Sequence, residues 1–354
     1  DFSNDAKGAL LLEPTRSNDL QKSQEFNDSY WTKYQSSVLD NLSISPDGSL
    51  NADKLIEDNS AATHQLGRAI SYVSGTTYTV SIFAKSSNRN LEISAGNTST
   101  FPAKAIFDLS NGIVLSTTLG NASIENFGNG WYRCVISSTA ASTSTTNINF
   151  GIVNGSALSY NGDGSSFLEL FGVSREIGSY ATSYIPTSGS AVTRVADACT
   201  GAGNEQVINS TEGVLYVEGS ALADIPDADQ YITLGNGART SPVSLRFSSI
   251  GEIIYYHGGL NSADTVSSIL NANVDLTQKN KLALRYGATA SNCSLFFNGV
   301  KQANFGSFVF SALSALDELK FSEDLGGSNF YGNTKDVRVY NTALTDAELI
   351  TLTT

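Results

Sequence analysis

The sequence predicts an all-β protein made of two tandem antiparallel β-sandwiches and one short C-terminal helix. Apolar and polar residues alternate over many short stretches, turn signals separate these stretches, and no long helical stretch lies between them. Only 16% of the 354 residues are charged, so the polarity comes mainly from Ser, Thr, Asn and Gly. That composition favours strands and tight turns over long helices.

The clearest predicted strand of the first half covers residues 76–86. Its apolar face carries Tyr78, Val80, Ile82 and Ala84. Phe83 interrupts the alternation, because it falls among the polar side chains of the opposite face. Further alternating stretches follow, and they are separated by glycine turns: "NLEISAG", "WYRCVISS", "NINFGIV" and "FLELFGV".

The strand pattern lapses once, in a small, polar and aperiodic stretch over residues 196–210. We therefore predict a first domain over 1–195, a linker over 196–210 and a second domain over 211–354. In the second half, strands resume with "GVLYVEGSA" and continue to "CSLFFNGVKQA". Asn298-Gly299 predicts a tight hairpin there, since both residues tolerate the positive φ that such a turn needs.

The C-terminal helix is predicted from its start signal. Thr345 and Glu348 have the spacing of a capping box, and Leu344 and Leu349 occupy the positions of a hydrophobic staple. We expect a helix of one or two turns that covers one end of the second sandwich.

The first half carries sequence features of a known family. "ALLLEPTRSN", "GTTYTVSIFAKS" and "GNGWYRCVIS" precede the closing stretch "ATSYIPTSGSAVTRVAD" of residues 181–197. Together these segments resemble a module that recurs in phage and prophage tail proteins, over residues 9–197. The module is also similar to jelly-roll carbohydrate-binding modules, so the resemblance implies a jelly roll.

The second half resembles the laminin-G/concanavalin-A-like lectin domain over residues 205–354. "NKLALRYGATASNCSLFFNGVKQ" is similar to that family's paired strands and hairpin, and "FYGNTKDVRVYNTALTDAELITLTT" to its closing element. The two resemblances imply the distal part of a virion appendage such as a tail fibre, assembled in the bacterial host cytoplasm. Such fibres are commonly trimers, so the expected partners are copies of this chain, other virion proteins and host surface glycan.

Charge and hydropathy exclude other function classes. The net charge is −13 and only 21 residues are Lys or Arg, so a nucleic-acid backbone would be repelled. No apolar run approaches the roughly 18 residues that a membrane span needs.

The sequence lacks methionine, and we expect a further segment upstream. Three widely spaced cysteines form no metal or disulfide pattern, so we expect reduced thiols.

Catalytic chemistry finds little support. The two histidines, His64 and His257, fall in different halves, and no GxSxG motif is present. Acidic residues are plentiful, but the sequence identifies no convergent pair for glycoside hydrolysis. We therefore predict that the chain is not an enzyme and assign no catalytic residue.

Carbohydrate binding is better supported, because sugars need aromatic rings together with polar side chains. One candidate cluster lies in "SYWTKY" and contains Tyr30, Trp31 and Tyr34; the alternative is that Trp31 packs under the first sheet. A second cluster near a turn contains Tyr255, Tyr256, His257 and Asn261. Trp131, which starts a strand, is interpreted as a core residue.

The sequence requires no cofactor and leaves calcium as an option. Asp163 in "NGDG" offers oxygen ligands, with a plain turn as the alternative. Asp224, Asp227 and Asp229 in "DIPDAD" do the same, with a solvated loop as the alternative.

Three functions follow as hypotheses. The first is adhesion of a tail fibre to host glycan. The second is a purely structural head-fibre or tail decoration protein. The third is a set of non-catalytic modules attached to a polysaccharide-degrading tailspike or secreted hydrolase.

Overall fold

The computed structural model describes residues 8–222, 229–238, 242–248, 253–257, 274–287, 292–302 and 315–354. Over these ranges the chain forms 25 strands and one short helix at the C-terminus. The pairings between the strands are antiparallel. The predicted all-β class is confirmed. No helix in the described ranges has the length and apolar character that crossing a bilayer requires.

The chain divides into two compact units. The central unit is Thr15–Val195, and the flanking unit combines the described residues up to Pro14 with Ala196–Thr354. The sequence-based boundaries instead place the whole of 1–195 in one domain. The difference arises because a strand at Leu10–Leu12 pairs with Gly332–Tyr340 of the flanking unit.

The central unit is built from two main sheets. Its strands are β2 (Arg16–Asn18), β3 (Thr32–Tyr34), β4 (Ser36–Ile44), β5 (Leu50–Glu57), β6 (Ala61–Tyr72), β7 (Thr77–Ser86), β8 (Asn90–Ala95), β9 (Lys104–Asp108), β10 (Ile113–Leu119), β11 (Asn121–Gly128), β12 (Trp131–Thr139), β13 (Ser144–Val153), β14 (Ser159–Asn161), β15 (Phe167–Ile177) and β16 (Val192–Arg194). The front sheet has the order β11-β12-β7-β15-β5-β4. The back sheet has the order β10-β9-β8-β13-β6-β14, with β3 also paired to β6, and β16 pairs with β2 apart from both.

The core of the central unit lies between these sheets. Tyr78, Val80, Ile82 and Ala84 of β7 are all buried in it, which confirms the predicted apolar face. Phe83 points the other way, away from the core. It packs in a second apolar cluster with Ala52, Trp131, Phe171 and the partly buried Tyr184. We call the side of the front sheet that carries Phe83 its outer face.

The closing segment, residues 179–187, covers part of this outer face. The Tyr184 ring lies 5.4 Å from the Phe171 ring, and its hydroxyl hydrogen-bonds Ser23 Oγ at 2.6 Å. Asn18 Nδ2 donates to the Ile185 carbonyl at 2.9 Å, which ties the segment to β2. The first part of the closing stretch identified in the sequence, residues 181–187, therefore packs onto the central unit.

The flanking unit is a second sandwich. Its elements are β1 (Leu10–Leu12), β17 (Glu212–Ala221), β18 (Gln230–Gly235), β19 (Val243–Phe247), β20 (Ile253–His257), β21 (Asn280–Gly287), β22 (Ser294–Phe297), β23 (Val300–Lys301), β24 (Glu318–Lys320), β25 (Gly332–Tyr340) and α1 (Asp346–Thr353). One sheet has the order β1-β25-β17-β21-β22-β23 and the other β20-β19-β18-β24. Asn298 and Gly299 have φ values of 44° and 80°, so the predicted hairpin is confirmed.

The stretch after the central unit is packed rather than free. Ile208 lies in the core of the flanking unit. Ala202 exchanges two backbone hydrogen bonds with Leu319, and Phe321 donates one to the Cys199 carbonyl. Much of the segment predicted as a linker thus contributes to the second sandwich.

The C-terminal helix begins with the predicted capping box. Thr345 is the N-cap: its side chain accepts from the Glu348 amide, and the Glu348 side chain accepts from the Thr345 amide. Leu349 packs with Tyr216 and Phe296 on β17 and β22. The helix therefore covers a face of one sheet rather than the end of the sandwich.

The capping box gives a test of the stability of the flanking unit. We expect Thr345→Ala to lower the free energy of unfolding of this unit by about 1 kcal/mol, because the Glu348 amide loses its hydrogen-bond acceptor. Calorimetry should show a fall in melting temperature of about 2–4 °C.

The helix and the central unit supply the controls. Thr351→Ala removes an exposed hydroxyl from the same helix and should leave the melting temperature nearly unchanged. Both tryptophans belong to the central unit, so unfolding followed by tryptophan fluorescence should not respond to Thr345→Ala. Equal destabilisation by both substitutions would contradict the role assigned to the cap.

Candidate functional site

The outer face of the front sheet carries a depression that we call the Phe127 pocket. It has a volume of about 390 Å³. The residues that line it come from the β4–β5 turn, the end of β7, the β11–β12 turn and β15, and include Ser43, Ile44, Lys85, Phe127, Asn129, Trp131 and Glu169.

The β11–β12 turn explains how Phe127 reaches the surface. Gly128, Asn129 and Gly130 all have positive φ, a conformation that suits glycine and asparagine. Ala122 and Ile124 pack against the core, so alternation places Phe127 on the outer face, and the pairing slips at a bulge between Asn126 and Gly128. Its ring meets the Phe83 ring edge-on at 4.8 Å, yet 43% of the residue stays exposed.

Trp131 forms the inner wall of the pocket. It is 2% exposed, and its Nε1 donates to the Ile44 carbonyl at 3.0 Å. This bond joins the start of β12 to the end of β4. Trp131 is therefore buried as predicted, although in the outer-face cluster and not in the core between the sheets.

A charged pair forms the polar side of the pocket. Lys85 Nζ lies 3.6 Å from Glu169 Oε2, and Ser43 Oγ donates to Glu169 Oε1 at 2.7 Å. Glu169 Oε2 is buried and accepts no hydrogen bond from any described residue. Lys85 balances the charge of this oxygen without a hydrogen bond, so a ligand that supplies an O–H or N–H group to the pair would gain by binding here.

This arrangement suits binding better than hydrolysis. An exposed ring next to polar groups matches the apolar face and hydroxyl rim of a sugar. Glu169 is the only carboxylate among the residues that line the pocket, whereas glycosidases use two. His64 lies elsewhere and is fully buried in β6, with its Nδ1 2.7 Å from the Gln35 carbonyl oxygen.

The first predicted aromatic cluster does not form one platform. Trp31 is 1% exposed and lies in the core, where it donates from Nε1 to the Lys22 carbonyl. The Tyr30 ring is partly buried, and the Arg68 guanidinium covers it at 4.1 Å. Tyr34, on β3 of the back sheet, is exposed. The packing alternative weighed for Trp31 thus describes its position.

The second predicted cluster lies mostly beyond the described side chains. Tyr255, Tyr256 and His257 belong to β20, whose backbone pairs with β19. Asn261 lies outside the described residues. A lectin site at this cluster stays a prediction.

The calcium candidates that the structure describes are occupied by protein groups. Asp163 accepts from Ser165 and Ser166, and its Oδ2 lies 3.1 Å from Arg89 Nη2. The hydrogen bonds from Ser166, and to a smaller extent those from Ser165, hold the pKa of Asp163 well below its ordinary value. Asp229 pairs with Arg246 at 2.9 Å. Asp224 and Asp227 lie outside the described ranges. Over the described part of the chain, no three His, Cys, Asp or Glu side chains are arranged to hold a metal.

Asp53 is a buried carboxylate that the sequence pattern does not single out. Its oxygens accept from the backbone amides of Phe26 and Asn41, at 3.0 and 2.9 Å. Burial nevertheless raises its pKa to about 6, because removal from water disfavours the charged form. No sequence signal separates Asp53 from the exposed acidic residues.

Comparisons with known proteins return structural neighbours only. No protein family matches the sequence, and no curated protein does. The carbohydrate-binding module CBM40 of the Ruminococcus gnavus IT-sialidase matches with a TM-score of 0.33 and 19% identity, over 41% of this chain and 84% of that one.

Two further neighbours match over most of the chain. Domains LG4-5 of the mouse laminin alpha1 chain give a TM-score of 0.26 and 10% identity, over 94% of this chain and 90% of theirs. The receptor-binding domain of botulinum neurotoxin type G gives a TM-score of 0.24 and 11% identity, over 91% of this chain and 100% of that one. Similarities of this size identify neither a ligand nor a binding site in this chain.

Asp53 makes the stability of the central unit depend on pH. A carboxyl whose pKa is raised on folding favours the folded state at low pH, and this contribution is lost as the pH rises through about 6. We expect the free energy of unfolding to fall by about 1–2 kcal/mol more between pH 4.5 and 7.5 in the unaltered chain than in Asp53→Asn. Urea unfolding at each pH, monitored by tryptophan fluorescence, measures this difference in the free energy of unfolding.

Glu125→Gln is the matched control, because Glu125 is an exposed carboxylate of the same unit. It should retain the pH dependence of the unaltered chain. If Asp53→Asn retained that dependence as well, Asp53 would not be its source.

Proposed function

We propose that the central unit is a glycan-binding module and that the Phe127 pocket is its sugar site. The observation that carries this proposal is one pocket lined both by the half-exposed Phe127 ring and by the Lys85–Glu169 pair, in which Glu169 Oε2 accepts no hydrogen bond from the described residues. A sugar can use both groups, since its C–H face packs on the ring and its hydroxyls hydrogen-bond the charged pair.

The pocket is held in shape before any ligand arrives. The Ser43 hydroxyl fixes one oxygen of Glu169, and the Ile44 carbonyl fixes the Trp131 indole. Lys85 Nζ lies 3.6 Å from Glu169 Oε2 and can donate to an oxygen of the sugar. Such preorganisation reduces the entropy lost on binding.

Charge favours a neutral glycan. Lys85 and Glu169 offset each other within the pocket, and the chain as a whole carries a net charge of −13. A densely anionic polysaccharide would be repelled at long range, whereas a neutral one would not.

The proposed setting is a virion appendage, and the resemblance of residues 9–197 to phage tail modules supports it. In this setting the chain is the C-terminal, receptor-facing part of a tail fibre. Oligomerisation, with a trimer favoured, raises the avidity of weak individual sites for host glycan. Other virion proteins hold the fibre in place.

Two alternatives have different tests. A purely structural head-fibre or tail decoration role is favoured by the exposed apolar side chains of Leu42, Ile44 and Leu50 on and after the edge strand β4. Assembly without any glycan affinity would support it. Attachment to a tailspike or secreted hydrolase would be supported by release of reducing ends from host polysaccharide by the full-length protein.

The pocket can be tested by substitution on the full chain. A glycan array should identify a neutral ligand, and calorimetric titration should then show at least a tenfold loss of affinity, about 1.4 kcal/mol, for Phe127→Ala. Glu169→Gln should cause a similar loss, because an amide presents an N–H group where the carboxylate presents an acceptor.

Tyr34→Ala is the matched control, since Tyr34 is an exposed aromatic residue of the back sheet. It should leave the affinity unchanged. Loss of binding in Tyr34→Ala alone would move the site to the back sheet, and no binding of any glycan would reject the proposed function.

A further inference from the structure

A second depression adjoins the Phe127 pocket on the outer face of the front sheet. We call it the Arg133 pocket, and its volume is about 270 Å³. Its lining includes Asn121, Ser123 and Glu125 of β11, Arg133 and Ser137 of β12, and Tyr180 of the closing segment.

The strand register places both pockets along the same two strands. Cys134 and Ile136 of β12 lie in the core, so Trp131, Arg133 and Ser137 share the opposite, outer face. Glu125 pairs with Arg133, and Gly128 pairs with Trp131. Because alternate residues of a strand lie about 6.6 Å apart, the two pockets are direct neighbours. From Trp131 to Ser137 the strand covers about 20 Å.

The start of the closing segment reaches this strip, where Ser179, Tyr180 and Ala181 line the Arg133 pocket, but the rest of the segment packs elsewhere. Tyr184 packs on Phe83 and Phe171, which belong to β7 and β15. On β11, by contrast, Ser123, Glu125 and Phe127 are all exposed. The open part of the outer face is therefore an elongated trough along β11, which the largely buried Trp131, Arg133 and Ser137 side chains of β12 help to line.

The two ends of the trough differ in chemistry. The Phe127 end is apolar with one charged pair, whereas the Arg133 end exposes the Asn121 amide, the Ser123 hydroxyl and the Glu125 carboxylate beside a largely buried guanidinium. Arg133 is 7% exposed, and its Nη2 donates to Ser81 Oγ at 2.9 Å, which holds the guanidinium in place. Such a surface binds a chain of hydroxyl groups by hydrogen bonds rather than an apolar ring.

We infer that the two pockets are adjacent subsites for one linear oligosaccharide of at least three residues. One sugar packs its apolar face on Phe127, and the following sugars lie over β11 and β12 with their hydroxyls toward the Arg133 pocket. The inference rests on the proposed glycan site and deepens it, because it specifies an internal stretch of a polysaccharide and not a lone terminal sugar.

The test is affinity against chain length, measured by calorimetric titration on the full chain. The probes are the maltose, cellobiose and chitobiose series from two to six residues, or the series whose parent glycan an array selects. We expect affinity to rise at least about tenfold from the disaccharide to the tetrasaccharide and then to level off.

A blocking substitution separates the subsites. Ser123→Trp fills the Arg133 pocket and should lower the affinity for the tetrasaccharide to that for the disaccharide, while the affinity for the disaccharide stays unchanged. Thr117→Trp, which adds the same side chain at an exposed position of β10, is the control and should bind like the unaltered chain. If Ser123→Trp does not fold, Glu125→Ala should lower the affinity for the tetrasaccharide and not that for the disaccharide. The length series on the unaltered chain tests the trough independently.

The possible outcomes distinguish failure of the trough from failure of the proposed sugar site. Equal affinities for the disaccharide and the hexasaccharide, with no effect of Ser123→Trp, overturn the trough and leave the Phe127 site standing. Absence of binding to every series and to the array overturns the proposed function, and the trough with it.

Discussion

Burial of strand β7 on both faces is the constraint on which the central unit depends. One face supplies Val80 and Ile82 to the core between the sheets, and the other carries Phe83 into the outer-face cluster. The two hydroxyls on the outer side are buried as well, and both are satisfied. Thr79 Oγ1 donates to the Gly178 carbonyl, and Ser81 Oγ accepts from Arg133. Because a shift of one residue would exchange the two faces, this double burial specifies the register of the neighbouring strands.

The candidate site follows from the same constraint. The apolar layer around Phe83 must be shielded from water, and Tyr184 of the closing segment shields it over β7 and β15. Toward β11 and β12 the layer ends at Phe127, whose ring is half covered by Phe83 and half open. The boundary between covered and open surface is where apolar rings meet the Lys85–Glu169 pair. The outer-face cluster therefore continues directly into the lining of the Phe127 pocket.

Much of the fold could be predicted from local sequence signals, because they act between near neighbours. The alternation over residues 76–86, the Asn298-Gly299 turn and the capping box at Thr345 are of this kind. The site could not be predicted in the same way. Phe127 and Glu169 come to line one pocket only through sheet pairing. Trp31 and Trp131 look alike in sequence, although one lies in the core and the other against the pocket. The sequence signal for the outer-face cluster is Phe83, which breaks the alternation of its strand. An aromatic residue on an otherwise polar strand face implies a second apolar layer.

Strand β1 has a consequence for the order of events in folding. It pairs with β25, so the flanking sheet is completed by two segments that are more than 300 residues apart in the chain, Leu10–Leu12 and Gly332–Tyr340. The central unit is an insertion between β1 and the rest of its sheet, and the pairing of β2 with β16 brings both ends of that insertion together. Folding of the insertion therefore shortens the loop that β1 must close, which lowers its entropic cost. Cutting the gene at Ala196 would remove β1 and leave β25 as an unprotected edge, whereas Thr15–Val195 is a natural fragment to excise.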